Sequence, residues 1–133
     1  MKKKDLKEFI LDLITRIKGA FLITIDEEGL PYIRSIENLR NLDKFPPSSK
    51  VFIDKLDNFL VYISTNTSSE KVKDIINNAN VALYYYRPKK YKDVIIRGCT
   101  EITDILKIKK KIWMNRMKIY YPKGVVEPDF TLL

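Results

Sequence analysis

The side chains best suited to holding an anion are concentrated in one short stretch, 63-ISTNTSSEK-71. An apolar strand end runs into six hydroxyl or amide residues and then into Glu70 and Lys71. Two chemistries fit. In the first, 67-TSSE-70 is a capping box: Thr67 accepts from the amide of Glu70, and the Glu70 carboxylate reaches back to the amide of Thr67. In the second, the unpaired amides of a helix start attract a phosphate. Thr65, Ser68 and Ser69 then add donors, and Lys71 adds a full charge. A phosphate also asks for a second cation. Arg34 is the candidate, an Arg in a mostly apolar strand with no acid nearby in sequence on its own face. On these residues alone the capping box is the simpler account.

Other chemistries are closed off by composition. There is no His and a single Cys, Cys99, so a zinc site or a Ser-His-Asp site is excluded in practice. Any reaction must draw largely on something bound. Cys99 has no partner for an internal disulfide, which agrees with a reducing compartment, and it reads as a small buried hydrophobe. The opening 1-MKKKDLKEFILDLI-14 is basic like a signal peptide, but Asp5, Glu8 and Asp12 interrupt the apolar stretch such a leader needs. It reads as a helix, no run is long enough to span a bilayer, and a cytoplasmic location is expected. The net charge of +8 is uneven: residues 105–133 carry seven Lys/Arg against two acids.

The elements that must position the candidate site follow from periodicity. The 133 residues fit one domain. Leu6, Phe9, Ile10, Leu13, Ile14 and Ile17 repeat at helical spacing, with Gly19 as the expected stop. The segments 20–25 and 30–37 form a hairpin over 26-DEEG-29, in which Gly29 supplies a positive φ. Residues 38–50 are a loop. A second hairpin is expected over 51–65, turning at 55-KLDN-58. Val72, Ile75, Ile76 and Ala79 mark a helix ended by Asn80. Strands follow at 81–87 and 93–103, joined by 88-PKKYK-92, and a helix covers 104–121. The sum is α+β: about six antiparallel strands in a closed or partly open barrel, with three helices around it.

With these elements in order, the chain resembles the pyridoxamine 5′-phosphate oxidase-like, flavin-binding split-barrel family, in particular its small general-stress-protein branch. The resemblance rests on 22-LITIDEEGLPYIRSI-36, 60-LVYISTNTSSEKVKDIINNANVALYYY-86, 94-VIIRGCTEITD-104 and the basic helix with Trp113 followed by 122-PKGVVEPDFTLL-133. It implies a six-stranded antiparallel split β-barrel of Greek-key type with flanking helices. It also implies a homodimer with FMN between the subunits. Carried over by position, Arg34 lies beside the flavin phosphate or ribityl chain, and the backbone of Ser35 and Ile36 meets the ring. Thr65, Ser69 and Lys71 hold the phosphate, and Trp113 approaches from the partner subunit. Charge-assisted bonds from Arg and Lys suit a phosphate dianion.

The chain departs from the family at Glu70, where the oxidases often have Arg, and at Asp93, where they have a flavin-contacting Gln. It also lacks their C-terminal segment for pyridoxal phosphate, so oxidation of vitamin B6 is not expected. The expected function is electron or hydride transfer from FMN to a small substrate. One alternative is non-catalytic binding of flavin, deazaflavin or haem on the same fold; another is nucleic-acid binding by the basic C-terminal helix. Of Tyr84, Tyr85 and Tyr86, at most two share a surface, in the core or the dimer interface. Trp113 reads as a packing anchor and 107-KIKKK-111 as a solvated face.

Overall fold

The computed structural model describes residues 2–48, 52 and 58–133. Helix α1 spans Lys3–Arg16 and buries Leu13 and Ile14. It is not ended by Gly19, which opens the first strand, extended and paired with Glu37. Side-chain amides finish α1 instead. Asn38 Nδ2 donates to the carbonyls of Ile14 and Ile17, and Asn41 Nδ2 to that of Arg16 at 3.2 Å. Polar side chains from the loop after the hairpin thus satisfy the carbonyls that a glycine cap would have served.

Strands β1 (Gly19–Ile25) and β2 (Pro31–Glu37) form the expected hairpin. Asp26 Oδ1 accepts the amides of Glu28 and Leu30, both at 2.9 Å, and Gly29 sits at φ +80°. A Cβ at Gly29 meets nothing within 4 Å, so only the backbone resists substitution. Gly29→Ala is expected to cost about 1 kcal/mol, read as a lower urea midpoint at unchanged slope.

β4 (Asn80–Arg87) and β5 (Lys92–Cys99) extend this hairpin to a four-stranded antiparallel sheet in the order β2-β1-β4-β5. A separate two-stranded sheet pairs β3 (Ser64–Asn66) with β6 (Phe130–Leu132). The architecture is therefore α+β with antiparallel sheets, but the hydrogen bonding of the described residues does not close into a barrel. The two sheets meet through packing: Leu22, Leu83 and Tyr85 of the large sheet join Ile63 and Leu133 beside the small one, with Ile14 of α1 and Val72 and Ile75 of α2 (Glu70–Asn77). Backbone bonds between Ile63 and Leu133, and from Thr103 to Leu132, prolong the small sheet.

Several expected boundaries shift. The strand expected to run to residue 103 ends at Cys99, because Thr100 turns its amide to Ala79 and Thr103 bridges to Leu132. Helix α2 stops at Asn78 rather than Asn80, the Asn78 side chain accepting the Asn80 amide at 3.1 Å as β4 begins. Most of the first arm and turn of the expected 51–65 hairpin lies outside the described residues. Phe52, however, is helical and buried, and regular strand begins only at Ser64. The single helix expected over 104–121 breaks into α3 (Leu106–Ile112) and a 3-10 turn, Asn115–Ile119. The break at Trp113 has a packing cause. It lets Trp113 meet Phe130 edge-on at 5.4 Å, while Met117 and Tyr121 enter a second core with Leu39, Phe45, Ile112 and Leu132.

Pairing register assigns the faces of the large sheet. Leu22, Arg34 and Leu83 share the inner face; Phe21, Ile23, Ile33, Tyr84 and Ile95 share the outer one. Tyr85 is fully buried inward, whereas Tyr84 and Tyr86 stack at 6.1 Å on the outside. Cys99 is exposed at the end of β5, not buried as expected. No helix among the described residues is long and apolar enough to cross a membrane.

Candidate functional site

A cavity of about 420 Å³ opens where four elements converge. The end of edge strand β2 contributes Ser35, Ile36 and Glu37; β3 contributes Ser64, Thr65 and Asn66; the turn after α3 contributes Arg116, Met117, Ile119, Tyr120 and Tyr121; and Lys71 comes from the first turn of α2. Among the described residues β2 is an edge strand, and such a strand leaves alternate N–H and C=O groups unpaired on its free side, so the Ser35–Ile36 backbone offers hydrogen bonds here as well as side chains.

The polar groups are ordered. Thr65 is buried, its Oγ1 3.4 Å from Ser69 Oγ. The Tyr121 phenol donates to Asn66 Oδ1 at 2.8 Å, and burial, then Asp129, raises its pKa. Lys71 is half-buried and has no ion-pair partner among the described residues. Its ammonium is pushed below the ordinary lysine range, first by burial and then by the charge of Arg34. Both causes penalise the charged form.

Arg34 has the acid that its sequence neighbourhood lacked. Asp74, one helical turn beyond Lys71 on α2, places Oδ2 3.5 Å from Arg34 Nη2. Arg34 Nη1 donates to Thr24 Oγ1 at 2.9 Å, and that hydroxyl donates onward to Asp74 Oδ2 at 3.0 Å. The Tyr32 ring covers the guanidinium at 4.4 Å. Nη2, the nitrogen that faces Asp74, is buried and makes no hydrogen bond among the described residues. The charge of Arg34 is felt at Lys71, across the wall of the cavity.

The cavity thus gathers Ser35, Ile36, Thr65 and Lys71 from the residues singled out in the sequence. Arg34 lies behind its wall, near enough to act on Lys71. Ser69 is the N-cap residue of α2, makes no side-chain cap bond, and reaches the site only through Thr65. The capping box does not form. Thr67 instead gives its amide to the Asp129 carbonyl and its hydroxyl proton to the Pro128 carbonyl, and its hydroxyl oxygen accepts from Thr131, so it ties α2 to β6. Trp113 is half-buried against Tyr121 and Phe130 and does not line the cavity within this chain. Asp93 lies on the outer face and accepts from the Tyr84 phenol at 3.2 Å. The cluster 107-KIKKK-111 is only partly a solvated face, since Lys109 is buried over the Phe130 ring.

Asp74, Asn66, Arg116 and Tyr121 were not read as site residues. Asp74 is invisible in sequence because forty positions separate it from Arg34. The signal for the others was the pair Tyr120–Tyr121 before Pro122, which ends a helix and leaves two aromatics at a turn.

Comparison with known proteins gives a consistent result. The pyridoxamine 5′-phosphate oxidase-like family profile matches residues 52–133. General stress protein 26 of Bacillus subtilis (strain 168) is 24% identical over 136 residues, covering 100% of this chain and 84% of that protein. In fold, the chain is similar to a protein related to general stress protein 26 from Clostridium acetobutylicum, with TM-score 0.72, 23% identity, and 98% and 82% of the two chains covered. General Stress Protein 26 from Bacillus anthracis str. Sterne gives TM-score 0.70 at 22% identity, with 96% and 84% covered. With the profile spanning most of its length, including β3, α2 and the turn after α3, the chain belongs to the pyridoxamine 5′-phosphate oxidase-like family.

Proposed function

We propose that the chain is an FMN-binding protein that works as a homodimer and transfers electrons to or from a small molecule. The observation that carries this reading is Lys71, half-buried in the cavity wall, without an ion pair among the described residues and next to the charge of Arg34. Two cations, the Thr65 hydroxyl and free edge-strand backbone are a fitting set for a phosphate and the heterocycle attached to it. Lys71, Thr65 and Ser69 would hold the phosphate, Arg34 would reinforce its charge, and the Ser35–Ile36 backbone would take the polar edge of the ring. Bound flavin supplies the redox chemistry, while the chain binds, orients and sets charge. Titration of purified protein with FMN should give saturable binding and a perturbed flavin spectrum. The absence of both would end the proposal.

The partner reading is supported by the outer face of the large sheet. Phe21, Ile33 and Ile95 are 41%, 63% and 62% exposed there, contiguous with Ile23 and Tyr84. An apolar patch of this kind marks an interaction surface. Ile33→Glu is expected to convert a two-chain species into single chains in light scattering; an unchanged mass would separate this face from the interface.

Binding without turnover, of FMN, a deazaflavin or haem, is favoured by one feature. The buried phenol of the cavity, Tyr121, is committed as a donor to Asn66 and resists ionisation, which leaves it poorly suited to act as a base. Turnover with a nicotinamide donor and an electron acceptor distinguishes the two readings.

A further inference from the structure

The cavity holds a second cation whose role the phosphate does not absorb. Arg116 is exposed, yet its guanidinium is fixed from two sides: Nη2 donates to the Lys44 carbonyl at 3.1 Å, and the group stacks on the Phe45 ring at 5.0 Å. No ion pair to Arg116 exists among the described residues. The acid sharing its cavity, Glu37, is bound by Lys44 Nζ at 3.0 Å. Lys44 therefore both anchors Arg116 and keeps the neighbouring carboxylate away from it. A planar fork with donors to spare, held in place and left without an acid, matches a carboxylate bidentately.

Beside it, on the same cavity wall, Ile119 and Tyr120 are 79% and 75% exposed. They offer uncovered apolar and aromatic surface within one turn of the charge. The net charge of +8 adds a field that draws anions to the protein.

We propose that Arg116, with Tyr120 and Ile119, recognises a small aromatic monocarboxylate as the second ligand of this cavity, and that Arg116 determines specificity for acids over neutral analogues. The proposal rests on the flavin reading only for what becomes of the acid once bound; its recognition depends on this chain alone.

Benzoate is the probe and benzamide its neutral counterpart, titrated into the protein with and without FMN while the backbone amide resonances of residues 116–121 are followed. Saturable benzoate binding at those residues is expected, with benzamide at least tenfold weaker. In Arg116→Gln, benzoate should weaken at least tenfold. Arg116→Lys should recover part of the loss, since charge without the fork remains. Equal affinity for benzoate and benzamide, equal benzoate binding by wild type and Arg116→Gln, or shifts confined to another surface would overturn the assignment. Comparing the two probes on wild-type protein decides the matter even if a variant folds poorly. Benzoate binding without FMN binding would remove the flavin reading and leave this one standing; FMN binding without benzoate binding would do the reverse.

Discussion

Asp74→Ala is expected to lower stability by about 3 kcal/mol, the low end of the cost of stranding one partner of a buried ion pair. The Arg34 and Asp74 side chains are only 15% and 8% exposed, so water cannot replace the lost carboxylate. Two facts place the cost at the low end: the ion-pair contact is 3.5 Å long, and Arg34 keeps its bond to Thr24. The Thr24 hydroxyl, fully buried, also loses its acceptor. Urea denaturation should show a lower midpoint at unchanged slope, and Arg34→Met combined with Asp74→Ala should be less destabilised than the sum of the two changes. Flavin binding by Asp74→Ala should not weaken, because the deleted charge is negative and lies beside the proposed phosphate site. A midpoint equal to wild type would mean that Asp74 does not hold Arg34.

Lys71→Ala should have the opposite profile: a small change in stability and a loss of about 10- to 100-fold in FMN affinity, the worth of one hydrogen bond to a charged group. Lys71 is half-buried and has no ion pair among the described residues, so little of the fold depends on it. Its lowered pKa also predicts a pH signature. The folded protein releases this proton at a lower pH than the unfolded chain does. The desolvation cost is therefore fully present below the folded pKa, and stability rises as pH passes from that value to the ordinary lysine value. Anion affinity runs the other way and falls as Lys71 loses its charge. Below neutrality a phosphate monoester gains a proton near a pKa of about 6, so affinity should peak between the two titrations. Lys71→Met should abolish the alkaline fall and keep the acid one. If Lys71→Ala unfolded the protein while leaving flavin affinity intact, residues 63–71 would be a helix start and nothing more.

These two variants also show how unevenly the site could be read. Lys71 was legible because its neighbours announce a polar strand-to-helix turn, and such turns carry unpaired amides whatever surrounds them. Asp74 was not, because nothing local distinguishes a buried acid from a solvated one on an amphipathic helix. The capping box failed for a related reason. Thr67 and Glu70 have the right spacing, but β6 and the two residues before it offer Thr67 the Pro128 and Asp129 carbonyls and the Thr131 hydroxyl, and those long-range bonds win.

The sequence by itself determined the elements whose apolar period is strong: α1, the β1–β2 hairpin with its positive-φ Gly29, α2, and the β4–β5 pair. Burial of an alternating or helical face depends only on spacing, so it survives without knowledge of the partner surface. The tertiary structure alone decided what faces what. It set Asp74 against Arg34, broke the last helix at Trp113 to fill the second core, and thereby carried Arg116, Tyr120 and Tyr121 to the mouth of the cavity opened by β2 and β3. Those contacts span tens of residues, and charge pairing and cavity lining are properties of distance in space, which no local pattern encodes.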